Sequence, residues 1–381
     1  MIFQTPALGE AELAVLARID QLRDSLRTSL HEPRRWTGSL RRISFARNIQ
    51  GSNSIEGIVA DLDDAAAIVD DEAPLSADDQ VRRALEGYRN AMTYVVQLCD
   101  AEPDFAYSAQ LLKALHYIMT SYDLKNRPGK WRIGDIYVHS GDLGEAVYAG
   151  PEVDLVPSLI DGLVTELNTP QPYPIVAAAM AHLNLVMIHP FRDGNGRMAR
   201  CLQSLVLGRN GVLSPVFMSV EEYLGRNTPA YYDVLAAVGG GTWSPERDAT
   251  AWIRFMLTAH LRQAATHRQR IRNYERLWSE LVGLLGGDED SRYLPALLDA
   301  AIGRKITRGG YVALLAHESV QISDQSAGRD LKHLVDTGLL LPHGEKRGRF
   351  YRAGQVVAER WSRIRASEPA RDDSDPFAPR T

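Results

Sequence analysis

The sequence predicts a mainly α-helical protein, broken by one small β-hairpin and closed by a separate C-terminal unit. Three observations carry this reading. Apolar residues recur at three- and four-residue spacing through most of 10–281. The pattern changes to short β-rich pieces only around 131–149. A Gly-rich break, Gly286-Gly-Asp-Glu-Asp290, sets off the C-terminal part of the chain.

Taken in order, the first helix is expected at 10–30, with Leu13, Leu16, Ile19 and Leu22 on one face. Helical pieces follow at 35–49 and 54–70. A long helix at 77–99 carries Val81, Leu85, Tyr88, Met92 and Val95 on one side. A helix at 108–120 stops before Asn126-Arg-Pro-Gly129, a strong turn signal. Strands at 131–139 and 146–149 flank Ser140-Gly-Asp-Leu-Gly144 and form the hairpin. Helices resume at 155–167, 174–188, 197–209, 229–238 and 247–281, with a loop at Gly239-Gly-Gly241. Beyond the break, helices at 293–302, 309–316 and 324–336 precede Gly338-Leu-Leu-Leu341, a polar turn and Arg349-Phe-Tyr-Arg352. Three short helices and a small hairpin make the outline of a winged helix. The last stretch, 366–381, is rich in Ser, Pro, Asp and Arg and is expected to be disordered. The chain thus divides into a helical N-terminal region (1–100), a core (101–260), a helical linker (261–287), a winged-helix domain (288–365) and a tail (366–381).

At 381 residues, with 45% hydrophobic and 24% charged content, the chain has room for two or three globular domains. A net charge of −5, from 43 basic and 48 acidic residues, argues against non-specific nucleic-acid binding but leaves room for a local basic patch. The two cysteines, Cys99 and Cys201, have no metal-type spacing and read as small core residues in a reducing cytosol. The opening residues lack a basic stretch followed by an apolar one, so no secretory signal is read. The longest apolar run, 175–188, is interrupted by His182 and Asn184 and is too short to span a bilayer. A cytoplasmic protein with no membrane partner is expected.

The chemistry concentrates in His189-Pro-Phe-Arg-Asp-Gly-Asn-Gly-Arg-Met-Ala-Arg200. A Gly-rich turn opening a helix is an anion site, because the first N–H groups have no intrahelical partner and the helix dipole favours negative charge. Arg197 and Arg200 are three apart and project from one helix face toward the same anion. An imidazole at one end and a polyanion cradle at the other point to nucleophile activation beside a bound polyphosphate. A lone histidine between apolar residues and a proline is more often structural. Asp193 and the two arginines at these offsets tip the reading toward function.

At every fixed position this stretch resembles the motif of the Fic (filamentation induced by cAMP) family, His-x-Phe-x-Asp/Glu-Gly-Asn-Gly-Arg-x-x-Arg. The likeness extends back through Leu115-His116, Pro128-Gly-Lys-Trp-Arg132, the hairpin and 151–159. It extends forward to Tyr231-Tyr232-Asp-Val-Leu235 and Trp252-Ile-Arg-Phe255, so it covers roughly 36–260. The resemblance implies a Fic helical core with a hairpin flap, and transfer of AMP from ATP to a Ser, Thr or Tyr hydroxyl of a protein. His189 would be the general base, since an imidazole with reference pKa ~6.5 accepts a proton at neutral pH. Asp193 would hold Mg²⁺ against the phosphates. Gly194, Asn195 and Gly196 would shape the anion nest, Arg197 and Arg200 would bind the β- and γ-phosphates, and Phe191 would anchor the loop. Tyr232 falls where family members contact the nucleotide. His116 and His182 read as packing or capping residues, and Arg192 as solvated.

A second motif, Ser52-Asn-Ser-Ile-Glu-Gly57, resembles the inhibitory element of Fic proteins that carry their own brake. On that likeness Ser52, Glu56 and Gly57 form the brake, and Glu56 pairs with Arg200 where the γ-phosphate should sit. Taken alone, the six residues read equally as a helix-capping element. The flap would align a target segment by β-augmentation through Val147, Tyr148, Ala149 and Gly150, with a plain structural hairpin as the alternative. The intact Gly-Asn-Gly-Arg loop favours adenylylation over the phosphate transfer of one family branch. Some braked members also remove AMP from their targets. The target is left open and includes the chain itself, and a homodimer is compatible with the sequence. The alternative reading is a DNA-binding or protein-interaction regulator that uses the core as a nucleotide sensor. Its recognition helix would carry Arg329, Lys332 and His333, and its wing Lys346, Arg347 and Arg349.

Overall fold

A computed structural model describes all residues except 32–33, 75, 141–144, 212, 346–347 and 379–381. The chain starts against the core: Phe3 is buried and its N–H donates to Asn184 Oδ1 (2.8 Å), while Asn184 Nδ2 donates back to the Phe3 carbonyl (3.0 Å). α1 (Glu10–His31) then lays Val15, Leu16 and Ile19 inward. α2 (Arg35–Ile55) runs unbroken through the gap expected between two helical pieces. The reason is packing. Gly51 is pressed against a neighbouring backbone so closely that a Cβ would come within 2.5 Å of the Glu221 carbonyl oxygen, and burial there outweighs weak helix propensity. α2 stops at Glu56, and Gly57 (φ 76°) turns the chain out.

α3 (Leu62–Val69), α4 (Asp79–Ala101) and α5 (Ala109–Thr120) are each opened by a side-chain cap, from Asp61, Asp78 and Ser108 respectively. The hairpin is shorter than expected. β1 (Tyr137–Ser140) pairs antiparallel with β2 (Glu145–Ala149), and 131–136 is irregular. α6 (Val156–Asn168) leads to the central pair, α7 (Pro174–Ile188) and α8 (Asn195–Arg209), which are buried along nearly their whole lengths. Two short helices that the periodicity did not signal, α9 (Pro215–Met218) and α10 (Glu221–Arg226), precede α11 (Thr228–Gly239).

α12 (Thr250–Leu284) is the spine. Its first half belongs to a large apolar core around α7 and α8, and its second half to another core built with α13 (Leu294–Ala301), α14 (Arg308–His317) and α15 (Asp324–Asp336). A two-stranded antiparallel ladder, β3 (Leu340–His343) with β4 (Phe350–Ala353), and α16 (Gln355–Ala366) complete that unit. α2 also straddles the two cores: Ile49 and Ile55 lie in the first, Trp36 and Leu40 in the second. Polar ties reinforce this docking. Asp299 of α13 accepts from Ser39 and pairs with Arg42 of α2 (3.1 Å), and Arg304 pairs with Asp63 of α3 (2.9 Å). Part of the tail expected to be disordered lies along α12, where Phe377 sits under Arg254 (5.3 Å) and Arg262 donates to the Ser374 carbonyl. Among the described residues no helix is long and apolar enough to cross a membrane.

Candidate active site

α7 ends at His189, which takes a left-handed conformation (φ 51°, ψ 57°) and turns the chain into the 190–194 loop. The His189 N–H still caps the helix on the Leu185 carbonyl (3.0 Å). Nδ1 lies 2.9 Å from the Val186 carbonyl, an acceptor only, so Nδ1 carries the ring proton and Nε2 keeps its lone pair. Burial holds the imidazole below its usual pKa, opposed by the Val186 carbonyl and the Glu56 charge.

The loop is built from inside. Phe191 is fully buried and stacks on His116 (centroids 3.6 Å, 2° between planes). His116 Nδ1 accepts from the Gly129 N–H (2.9 Å), so its Nε2 donates to the Asp193 carbonyl (2.9 Å). Burial pushes this ring down to about 4, which keeps it neutral in that role. The Asn195 side chain closes the loop, accepting from the Phe191 N–H (2.9 Å) and donating to its carbonyl (2.8 Å). Its amide is therefore committed to shaping the nest. Gly194 (φ 76°) stands at the N-terminus of α8. Asp193 projects outward, half exposed, with Arg197 Nη2 3.7 Å away and Asn126 Nδ2 3.4 Å away.

From the first turns of α8, Arg197 and Arg200 project as buried cations. Arg197 donates to the Tyr122 hydroxyl (2.9 Å), and its Nε has no partner among the described residues. Arg200 is gripped by the end of α2. It donates from Nε to Ser52 Oγ (2.8 Å), and from Nη2 to the Ser52 carbonyl (2.9 Å) and Glu56 Oε1 (2.6 Å). Its Nη1 has no partner among the described residues. Burial alone would push the Glu56 carboxyl up, but the charge and hydrogen bond of Arg200 outweigh it and hold the group low. A Cβ on Gly196 would lie 2.2 Å from Glu56 Oε1 and 3.2 Å from Arg200 Nη1, so the carboxylate fills the space this glycine leaves open. The six-residue motif thus lies at the C-terminal end of α2 and is not an N-terminal cap.

The remaining expected residues divide. Tyr232 donates to the Ile55 carbonyl (3.0 Å), so it touches the end of α2. Tyr148 is buried and donates to the Met187 carbonyl (2.9 Å), so its side chain packs against the end of α7. The main chain of Ala149 is already paired with Gly241 (3.0 Å) and Trp243 (3.1 Å), so it is not free to receive another strand. Val147 remains 42% exposed, and Gly150 closes the hairpin base on the Ile136 carbonyl (3.1 Å). In the C-terminal unit, Lys332 pairs with Asp336 (2.6 Å), while Lys346 and Arg347 lie outside the described residues. Residue spacing did not reveal the site roles of His116, Tyr122, Asn126 or Arg132; the resemblance covered the segment that holds them but assigned none of them a role at the site.

Comparison with known proteins places this geometry. The Fic/DOC family model matches residues 106–207. A Fido domain-containing protein of Dictyostelium discoideum is 40% identical over 101 residues, which cover 71% of its length and 23% of this chain. The protein adenylyltransferase Fic of Culex quinquefasciatus is 28% identical over 232 residues, 60% of this chain and 43% of that protein. The chain thus spans less than half the length of that curated relative. Among solved structures, a Fic family protein from Desulfovibrio desulfuricans matches with TM-score 0.59 and 23% identity, covering 93% of this chain and 99% of the other.

Proposed function

Since this chain belongs to the Fic/DOC family, we propose that it is a protein adenylyltransferase held in check by its own Glu56. One observation carries the reading. A neutral His189 with a free Nε2 lone pair shares a loop with two buried arginines, and each has a nitrogen with no partner among the described residues beside the α8 N-terminus. That combination suits proton removal next to a polyphosphate. The target hydroxyl oxygen bonds to the α-phosphorus of ATP, the bond from that phosphorus to pyrophosphate breaks, and the hydroxyl proton passes to His189 Nε2. Arg197, Arg200 and the N–H groups of the first α8 turn hold the phosphates. Asp193 suits Mg²⁺, which takes one or two carboxylates alongside phosphate oxygens. When bound there, Mg²⁺ would neutralise charge on the phosphates.

In the closed state the Glu56 carboxylate and a phosphate compete for one guanidinium, so nucleotide cannot settle productively until α2 releases Arg200. The test is to incubate wild type and Glu56→Gly with α-labelled and γ-labelled ATP in parallel, with Mg²⁺ and a lysate. Label from the α-position only, stronger in the variant, is expected. Label from the γ-position would mean phosphate transfer and would overturn the reading.

Residues 288–365 we read as a winged-helix unit in a cytoplasmic protein, serving protein contact rather than DNA. The pairing of Lys332 with Asp336 on the candidate recognition helix supports this by reducing the positive charge that DNA would need there. Salt-dependent retention of the full chain on duplex DNA would reverse that reading.

A further inference from the structure

We infer that Arg132 is the positioning residue that fixes the His189 imidazole and the base of the flap hairpin in one relation to each other. This rests on the proposed role of His189 as base. A non-glycine residue in the left-handed region costs on the order of 1–2 kcal/mol and persists only when its surroundings over-determine it. His189 sits there, with its carbonyl swung off the α7 axis. Arg132 Nε donates to that carbonyl (3.0 Å), and the Arg132 backbone N–H donates to the next one, Pro190 (2.8 Å).

The other arms of the same guanidinium reach the hairpin. Nη1 donates to the carbonyl of Gly134 (2.8 Å), ahead of β1, and Nη2 to that of Pro151, just past β2. One rigid fork therefore joins three separate pieces of chain. Gly150, beside the fork, makes room for Ile136: a Cβ there would lie 2.8 Å from the Ile136 side chain, and at an ordinary contact distance of 3.6 Å from Arg132 Nη2. Arg132 is 6% exposed, and each of its three side-chain nitrogens donates to a backbone carbonyl. Desolvating a cation that is held by neutral carbonyls rather than by a carboxylate is costly. An apolar residue would fill the volume more cheaply, but it could not hold three carbonyls. Lysine, a point charge on a flexible stem, could hold only one or two.

The position of this charge also bears on the base. The charged groups acting on His189 are Glu56 at the end of α2 and Asp193 in the loop, which favour its protonated form, and Arg132, which opposes them. Arg132 thus does two separable things: its fork sets geometry and its charge helps keep the imidazole neutral.

The test compares Arg132→Lys and Arg132→Gln in the full chain carrying Glu56→Gly. Both should label target about tenfold to a hundredfold more slowly, the scale expected from a misplacement near 1 Å, with ATP affinity close to the parent's and a lowered melting temperature that still leaves the chain folded under assay conditions. His189 ring titration, followed by NMR without turnover, should separate them. Its midpoint should rise in Arg132→Gln, which loses the charge, and stay near the parent's in Arg132→Lys. Labelling by Arg132→Lys at the parent rate, or an unmoved midpoint in Arg132→Gln, would overturn the proposal. So would loss of ATP binding together with melting in both variants, which would assign Arg132 to folding alone. If the parent Glu56→Gly chain gives no label, adenylyl transfer is what fails, and Arg132 is judged on the titration.

Discussion

His189 is set by opposing forces, and the balance fixes a pH dependence. Burial lowers its pKa, and the negative charge of Glu56 partly offsets that. Replacing Glu56 with glycine removes the offset, so the imidazole in the released chain moves further down. Transfer needs the neutral ring, so activity is lost as pH falls through its pKa. The Glu56→Gly rate should therefore stay flat on the acid side until below pH ~6.5, the ordinary imidazole value. A midpoint above that value in a pH–rate series would contradict the burial argument. His189→Ala should abolish labelling throughout. Asn195 shows what the sequence conceals at this scale. The motif made it visible as part of an anion nest, yet its amide is occupied by the Phe191 backbone, a use that spacing cannot reveal. Asn195→Ala would orphan two buried backbone groups at about 1–3 kcal/mol each, and should lower the thermal midpoint as well as the rate. His116 was harder still, because its partner Asp193 lies 77 positions away.

At the scale of elements, α2 and α8 meet at one carboxylate. If the Glu56–Arg200 arrangement is favoured by ~3 kcal/mol, about a hundredth of molecules are competent, and Glu56→Gly should raise labelling on the order of a hundredfold. Equal rates, with ATP binding unchanged, would reduce 52–57 to a helix end. Gly196→Ala makes a contrasting case. The added methyl expels the Glu56 carboxylate but fills the same space a phosphate needs. Nucleotide affinity should fall by about tenfold or more, consistent with 1–3 kcal/mol of overpacking, in both wild-type and Glu56→Gly backgrounds. Calorimetry checks it. Most helices were legible from period and caps, notably α7, whose bounds coincide with its apolar run. α2 was misread as two pieces because Gly51, Ser52, Asn53 and Ser54 look like a break, and only the close backbone of Glu221 explains why they are not.

For the whole molecule, the sequence set a C-terminal unit apart at Gly286-Gly287, but the second apolar core also takes in the second half of α12 and Trp36 and Leu40 of α2, so the joint between the cores was not visible. That joint is carried by charges far apart in the chain. Asp299, 2% exposed, serves Ser39 and Arg42 of α2, and its replacement by Asn would leave the buried Arg42 guanidinium with Asp70 (3.3 Å) as its one remaining carboxylate among the described residues. With Asp70 still paired, the loss is that of a charged hydrogen bond, about 1.5–3 kcal/mol, so Asp299→Asn should melt below wild type in scanning calorimetry. An unchanged midpoint would show the interface to be held by its apolar contacts alone.

If Glu56 restrains Arg200 as proposed, the one helix that has Trp36 and Leu40 in the C-terminal core and Glu56 on Arg200 couples nucleotide to any ligand of the C-terminal unit. Whatever binds residues 288–365 more tightly when α2 has shifted must, by thermodynamic reciprocity, bind more tightly in the presence of ATP, by the same factor that it raises the affinity for ATP. The brake is thus also a gauge, in which a distant partner's affinity can be read from a nucleotide titration.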